Sequence, residues 1–175
     1  SVFPQASWQW LTQVVLLVFF AWSLQQLKIK GRDILGWSVL SLVPHAVLGI
    51  AQFFTQSVFA SKWLGMAAQN PMSPGVSVVE VAGRRVLRAY GGFPHPNIFG
   101  GWLAFGLAAS TLLASRVTRP RHRKLLFVLC SLFSVALVLT FSRSAWIAAA
   151  VGVIVAAALS KKPRALIVPG IILLS

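Results

Sequence analysis

Acidic residues are nearly absent from this sequence. Asp33 and Glu80 are the only two, against 16 lysines and arginines, and the formal net charge is +14. No His, Cys, Asp or Glu residues show the spacing of metal ligands, and no glycine-rich loop of the nucleotide-binding type is present. We therefore expect neither a metal ion nor another cofactor.

Cysteine is almost as scarce. Cys130 is the only one and lies inside an apolar run, so it can form no disulfide within the chain. It therefore says nothing about the redox compartment, and we expect it to be a small buried apolar side chain.

Charged residues of either sign make up only 10% of the chain, whereas 57% of its residues are hydrophobic. A soluble domain normally carries about 25% charged residues. With so few, the chain cannot cover a water-facing surface with polar groups, and lipid is the solvent that suits it. We therefore expect an integral membrane protein whose main partner is the bilayer.

Long apolar runs have the length of membrane spans. A bilayer core of ~30 Å takes about 20 apolar residues in a helix, and a chain in lipid must satisfy its own backbone groups. The runs predict an all-α fold, a polytopic transmembrane bundle of about six helices in one domain. The predicted helices are residues 10–27, 34–54, 97–115, 125–141, 145–159 and 165–175, with a loop at 55–96.

Two features of these runs add to the prediction. The sixth run is still apolar at its last residue, so we expect the chain to be a fragment of a longer polytopic protein. Only residues 142–144 join the fourth and fifth helices, which predicts a tight helical hairpin.

The lysines and arginines occur in clusters between apolar runs, a pattern typical of membrane loops rather than of a nucleic-acid-binding face. Eleven of the 16 fall on one side of the predicted bundle, which the positive-inside rule makes cytoplasmic. These eleven are Lys28, Lys30, Arg32, Arg116, Arg119, Arg121, Arg123, Lys124, Lys161, Lys162 and Arg164. The loop 55–96 then lies on the opposite side, and Trp8, Trp10 and Trp63 near span ends fit an interfacial aromatic belt. We expect no nucleic-acid partner.

Four arginines fall on the side that should be poor in them, namely Arg84, Arg85, Arg88 and Arg143. Glu80 is the only acid on that side and can pair with one of them at most. Two interpretations are open. Either the arginines contact lipid headgroups, water or acids elsewhere in the protein, or they bind a phosphate or diphosphate through the bidentate guanidinium fork.

The segment that leads from Arg88 into the third predicted helix favours the second interpretation. Gly91 and the glycine after it permit a tight backbone path, and Pro94 and Pro96 hold the chain extended. Asn97 is predicted to cap the helix, whose first amide groups and dipole then point to the same side as the arginines. A helix start of this kind favours an anion.

Two histidines have more than one interpretation. His95, between the two prolines, is either a general base or a loop histidine held by backbone contacts, and we favour the second. His45 follows a proline in the second span. We expect it to bond carbonyl groups freed by a kink rather than to mark a proton or ion path.

Ser142 and three glycines of the third predicted helix have expected structural roles. Ser142 is predicted to cap the turn before the fifth helix and to orient Arg143, because no His or acid neighbours it in sequence to activate it as a nucleophile. Gly100, Gly101 and Gly106 are predicted to let another helix approach closely.

Two segments of the chain form a recognisable pair. Residues 88–97 have the pattern R-A-x-G-x-F-x-H-P-N and open a predicted helix, and residues 139–145 read L-T-F-S-R-S-A after an intervening basic loop. Together they resemble the O-antigen ligase and O-antigen polymerase superfamily, and the resemblance covers roughly residues 34–175. Members are multi-pass glycosyltransferases of the bacterial inner membrane that act on its periplasmic face.

The resemblance implies transfer of a glycan from undecaprenyl diphosphate to a glycan, lipid or protein acceptor, as in lipopolysaccharide biosynthesis. No nucleotide sugar is used, and generally no metal. Arg88 and Arg143 match the motif arginines and are implied to contact the carrier diphosphate, and Arg84 and Arg85 are looser candidates. In the family a periplasmic loop with a functional histidine follows these helices. The general base is therefore expected outside this sequence, which alone should be inactive.

Two other classes of function remain open. One is an anion transporter, and some members of the superfamily have been described as bicarbonate transporters. The other is a non-catalytic membrane scaffold. Transport needs polar residues along a path through the bundle, and the spans offer His45 and scattered Ser and Thr, so we favour the transferase.

The predicted topology can be tested with single cysteines in a Cys130→Ala background. A cysteine at residue 75 should react with a membrane-impermeant thiol reagent added to intact cells, because the loop 55–96 is predicted outside. A cysteine at residue 120 should react only after the membrane is opened. The opposite pattern would reverse the predicted topology.

Overall fold

The structure, a computed structural model, describes residues 4–27 and 29–160. In this part of the chain it has five helices and two strands. They are α1 (Pro4–Gln26), α2 (Gly31–Thr55), β1 (Val78–Val81), β2 (Arg84–Leu87), α3 (Pro96–Arg116), α4 (Pro120–Leu139) and α5 (Arg143–Ala158). The predicted helix 165–175 lies outside the described residues, as do the loop residues Lys28, Lys161, Lys162 and Arg164.

The predominantly helical fold that the sequence predicts is confirmed, but the count of about six spans is not matched. Four helices in the described part, α1 to α4, are long and apolar enough to cross a membrane. The fifth, α5, is also apolar but has 16 residues, fewer than the ~20 that a bilayer core takes. The four long apolar helices indicate a membrane protein.

Local sequence explains where the later helices begin and end. α3 and α4 each carry a proline in the first turn, where its missing N–H costs no hydrogen bond. For this reason Pro120 starts α4 well before the apolar run that was predicted to begin at residue 125. α4 ends at Leu139 because Phe141 has φ 49°, a left-handed conformation that a helix cannot continue.

α1 belongs to a compact unit of its own, which extends to Ile34, and a second unit begins at Leu35. Nearly every described side chain of α1 is exposed, on all faces of the helix. In the same unit Asp33 lies 3.6 Å from Nε of its neighbour Arg32. An apolar surface all round a helix is what a lipid-facing span requires.

α3 is the central helix of the second unit. It packs along both α4 and α5, whereas α4 and α5 contact each other only sparingly. The largest fully buried apolar side chains of this core are Val39, Phe99, Leu103, Leu107, Phe133 and Leu137. The tight turn predicted between the fourth and fifth helices is present, since residues 140–142 alone join them, but each helix packs on α3 rather than on the other.

Two of the three glycines singled out on α3 are sites of close approach. A Cβ atom on Gly100 would lie 2.7 Å from Cβ of Ala145 in α5, and one on Gly106 would lie 2.8 Å from Leu42 in α2. At Gly101 a Cβ atom would meet nothing within 4 Å. Close packing therefore requires glycine at residues 100 and 106 but not at residue 101.

The predicted loop 55–96 contains strands, which the all-α prediction did not foresee. β1 and β2 pair antiparallel, with Val78 opposite Leu87 and Glu80 opposite Arg85. The turn uses Ala82 and Gly83 with φ 50° and 74°, the positive values of a type I′ hairpin turn. This hairpin lies in the connection between α2 and α3. α2 and α4 end, and α3 and α5 begin, at the same end of the second unit. We call this end the loop end.

The glycine pair provides a matched test of the core packing. Gly100→Ala should lower the thermal unfolding midpoint of the detergent-purified protein, because over-packing a tight contact typically costs about 1–3 kcal/mol. Gly101→Ala should leave the midpoint unchanged or raise it, since alanine is the better helix former by up to ~1 kcal/mol. Equal midpoints for the two variants would contradict the α3–α5 packing described above.

Candidate functional site

At the loop end, the chain that follows the β-hairpin turns back along α2. We call residues 87–93 the inserted segment. The N–H groups of Tyr90 and Gly91 both donate to Oε1 of Gln52, at 3.2 and 2.8 Å. Nδ1 of His45 donates to the carbonyl oxygen of Gly91 at 2.5 Å. Since His45 lies ten residues before the end of α2, or ~15 Å along a helix, the inserted segment reaches well into the bundle.

Two further N–H groups of the inserted segment also have acceptors on neighbouring elements. Leu87 donates to Oε1 of Gln56 at 2.7 Å, and Ala89 donates to the carbonyl of Leu139 in α4 at 3.0 Å. Irregular backbone at membrane depth is tolerated where protein groups satisfy it. Side chains of α2 and a carbonyl of α4 do so here, because these helix ends offer groups that no helical bond uses.

Glycine is required where the inserted segment turns. Gly91 and Gly92 have φ 61° and 83°, and a Cβ atom on Gly91 would lie 2.5 Å from the ring of Phe99. One on Gly92 would lie 2.9 Å from Nδ1 of His45. A Cβ atom on Gly49 of α2 would lie 2.6 Å from the same ring. The predicted tight backbone path at Gly91 is therefore present, and it lies inside the bundle rather than above it.

Arg88, in the inserted segment, links three parts of the loop end. Its Nε donates to the carbonyl of Thr140 and its Nη2 donates to Oδ1 of Asn97, both at 2.6 Å. Partial burial lowers the pKa of the guanidinium, and the nearby Tyr90 acts in the opposite direction. Arginine keeps its charge at neutral pH nonetheless. Two of the five N–H groups are used in these bonds, and the other three have no acceptor among the described residues.

The two sequence segments that were read as a pair lie side by side. Residues 88–97 contact residues 139–145 through the Arg88 bond and through the N–H of Ala89, which donates to the carbonyl of Leu139. Gly100, in the helix that residues 88–97 open, also lies close to the start of α5. A Cβ atom on Gly100 would lie 3.4 Å from Cβ of Ser142. The first turns of α3 and α5 are therefore neighbours, and their positive dipole ends face the same region.

The start of α3 differs from the prediction. His95, not Asn97, is the N-cap, and its Nδ1 accepts from the Asn97 N–H at 3.1 Å. Pro96 has no N–H, and the N–H groups of Ile98 and Phe99 both donate to the carbonyl of His95. The prediction of an Asn97 cap is wrong because the prolyl ring already occupies the first helical position. As a result, α3 offers an anion its dipole but no free amide group.

The start of α5 does offer amide groups. Ser142 is the N-cap, as predicted, and its hydroxyl accepts from the N–H of Ala145 at 3.4 Å. The N–H groups of Arg143 and Ser144 have no acceptor within the described part of the chain, and both residues are exposed. These two amides are unpaired because a helix leaves its first N–H groups without intrahelical partners.

His95 is engaged at both ring nitrogens. Nδ1 accepts the capping bond from Asn97, so the neutral ring carries its proton on Nε2, which lies 2.9 Å from Oγ of Ser77. A general base needs an unprotonated nitrogen facing the hydroxyl that it deprotonates. This geometry therefore favours the interpretation of His95 as a loop histidine. Pro94, which precedes it, is exposed.

The four arginines are not gathered at one point. Successive residues of a strand point to opposite faces, so Arg84 and Arg85 diverge, and both are exposed next to the hairpin turn. Arg85 lies opposite Glu80 in the strand register. Arg143 is exposed at the first position of α5, three residues after the carbonyl that binds Arg88. The arrangement therefore separates Arg88 and Arg143 from the other two.

The sequence reading overlooked Gln52 and Gln56. Gln52 is only 2% exposed, and its Nε2 has no hydrogen-bond partner in the structure. Two glutamines four residues apart on an apolar helix share one face, and that spacing was the available signal. His45 does bond a carbonyl, but that of Gly91 rather than one freed by a kink in its own helix.

Nothing among known protein families, curated proteins or solved structures matches this chain. In the part of the chain that the structure describes, no three His, Cys, Asp or Glu side chains lie close enough together to hold a metal ion.

Gln52→Leu tests the attachment of the inserted segment to α2. Two buried N–H groups would lose their acceptor, at a cost of about 1–3 kcal/mol each. We expect a lower unfolding midpoint and faster amide hydrogen exchange at residues 87–93, measured by mass spectrometry in detergent. Gln9→Leu makes the same chemical change at an exposed position of α1 and should change neither. Unaltered exchange at Tyr90 and Gly91 in Gln52→Leu would refute this role.

Proposed function

We propose that this chain is part of a glycosyltransferase of the O-antigen ligase and polymerase type. It would move a glycan from undecaprenyl diphosphate to an acceptor at the periplasmic face of the bacterial inner membrane. The observation that carries the proposal is the junction of Arg88 with the start of α5. There a half-buried guanidinium, two exposed amides and the side chain of Arg143 occur with no carboxylate bonded to them among the described residues.

The chemistry of a diphosphate leaving group suits this junction. Negative charge grows on the diphosphate as the glycosidic bond breaks, and fixed donors stabilise it better than water because they need not reorganise. Arg88 is fixed in this sense, since its bonds to Thr140 and Asn97 set the plane of the guanidinium. Its remaining N–H groups can bind phosphate oxygens in the bidentate manner of arginine.

The charge distribution along the second unit supports the proposed side of the membrane. α3 runs from the loop end to the connection between α3 and α4, where Arg116, Arg119, Arg121, Arg123 and Lys124 are all exposed. The positive-inside rule makes that connection cytoplasmic. The loop end is then periplasmic, where lipid-linked glycans are transferred in the proposed family.

We assign no general base to residues 4–160. His95 has both nitrogens engaged, and His45 is bonded to Gly91 inside the bundle. The base that deprotonates the acceptor hydroxyl is therefore proposed to come from another part of the protein, in keeping with the family resemblance.

We do not propose anion transport. A transport path needs polar groups that are free to bind the ion along the bundle. In the described spans His45 is tied to the inserted segment, and Thr111 donates to a carbonyl of its own helix at 2.8 Å. The hydroxyls of Ser110 and Ser134 are also buried within the bundle, but neither carries a charge that would attract an anion. The half-buried guanidinium of Arg88 and the exposed start of α5 lie at the loop end, which suits catalysis at a surface.

The proposal is tested by substituting the arginines in the protein as it occurs in its native membrane. Arg143→Ala removes a side chain that has no partner among the described residues, so it should leave the fold intact. It should reduce glycan transfer by ~10²-fold, the typical loss when one transition-state donor is removed. Arg88→Lys should also be poor, because a point charge cannot keep two directed bonds and bind phosphate as well. Transfer is measured as glycan on the acceptor by gel electrophoresis.

Arg84→Ala and Arg85→Ala are the matched controls, since they remove the same charge from the exposed hairpin turn. Both should retain transfer and the same membrane abundance. Full transfer in Arg143→Ala, with the protein at normal abundance, would count against the proposed diphosphate site. So would an equal loss in Arg143→Ala, Arg84→Ala and Arg85→Ala, because the loss of any positive charge rather than of this junction would then be responsible.

A further inference from the structure

The chain between α2 and β1 is unusually poor in charge for a loop. Residues 56–77 contain one charged side chain, Lys62, whereas a water-facing segment normally carries about a quarter. Within it, residues 58–69 form a small hairpin that we call the apolar hairpin. Val58 and Gln69 exchange two backbone bonds of 3.0 Å, and Ser61 and Met66 exchange two of 2.9 Å. Its tip is the turn 62–65.

One face of the apolar hairpin packs on the side of α2. Val58 and Met66 are buried in a cluster with Leu87 and Tyr90, and Leu48 of α2 packs against this cluster. Leu48 lies seven residues before the end of α2, or ~10 Å along the helix. The apolar hairpin therefore lies beside α2 and not beyond its end.

Contact with the inserted segment places the hairpin at the same level. A Cβ atom on Gly92 would lie 3.7 Å from Sδ of Met66 and 2.9 Å from Nδ1 of His45. A small cavity of about 120 Å³ separates the hairpin from residues 90–94. Met66 therefore lies beside Gly92, within the length of a helix that is apolar enough to cross a membrane.

The opposite face of the apolar hairpin is exposed and apolar. Trp63 is 98% exposed at the tip, next to Leu64 at 56%, and Phe59 is 55% exposed. Val47 and Phe54 of α2, in the same stretch of helix as Leu48, are exposed as well. The hairpin thus continues the apolar outer surface of a candidate span, and a tryptophan beside a lysine is typical of the membrane interface.

We propose that the apolar hairpin lies in the interfacial region of the leaflet at the loop end, with Trp63 and Leu64 in contact with lipid. Lys62 would pair with lipid phosphate while its stem stays among apolar groups. An interfacial rather than a central depth suits the backbone, since the bridges satisfy only part of its N–H groups and water must reach the rest. The inference is independent of the proposed transferase activity.

Spin labels test this placement in the whole chain. Trp63→Cys and Leu64→Cys, each in a Cys130→Ala background, carry a nitroxide and are reconstituted into vesicles of phosphatidylcholine and phosphatidylglycerol. Ser73→Cys, in the exposed polar turn that follows, is the matched reference. The broadening of the spectra by dissolved oxygen, which concentrates in lipid, is compared with that by a water-soluble nickel chelate.

Compared with the label at residue 73, the labels at residues 63 and 64 should collide less often with the nickel chelate and more often with oxygen. Nickel access at 63 and 64 equal to that at 73 would show that the hairpin lies in water, and it would overturn the proposal. Immobile labels shielded from both reagents would show that protein, such as a second copy of the chain, covers the hairpin, which would overturn it equally. Two labelled positions guard against a local effect of losing Trp63.

Discussion

The loop end of this protein depends on hydrogen bonds that one buried glutamine accepts from a segment of irregular backbone. Gln52 accepts two consecutive N–H groups, from Tyr90 and Gly91, in a place where water is excluded. Without that acceptor the inserted segment would bury unpaired donors, each costing more than an ordinary hydrogen bond contributes. The same segment also requires glycine at residues 91 and 92, since any side chain there would clash with Phe99 or His45.

The inserted segment also fixes the positions of Arg88 and of the apolar hairpin. Arg88 follows directly from β2 and is held between α3 and the corner after α4, so its guanidinium is partly buried and oriented. Burial of a charge without a carboxylate partner is costly, and carbonyl and amide oxygens compensate for only part of that cost. In the proposed function, the anionic ligand would supply the missing counter-charge when it binds. The apolar hairpin is the other consequence, since its buried face packs on the inserted segment and on α2.

Sequence reasoning succeeded where structure is decided locally. The lengths of the apolar runs predicted α1 to α4, and Ser142 was recognised as a cap because it directly precedes a helix in a short turn. It failed at Asn97, because Pro96 occupies the first helical position and the residue before it, His95, is therefore the cap. It also treated four arginines as one cluster, although strand alternation separates Arg84 from Arg85.

The sequence by itself determined that this chain is a helical membrane protein, because span length and hydropathy are properties of short segments. It also indicated that residues 88–97 and 139–145 belong together. Only the tertiary structure decided that Arg88 reaches Thr140 and that Gln52 holds the inserted segment. It also decided that α4 and α5 both pack on α3 rather than on each other. Those contacts join residues dozens of positions apart, and which of them form depends on the packing of whole helices, to which no local pattern is sensitive.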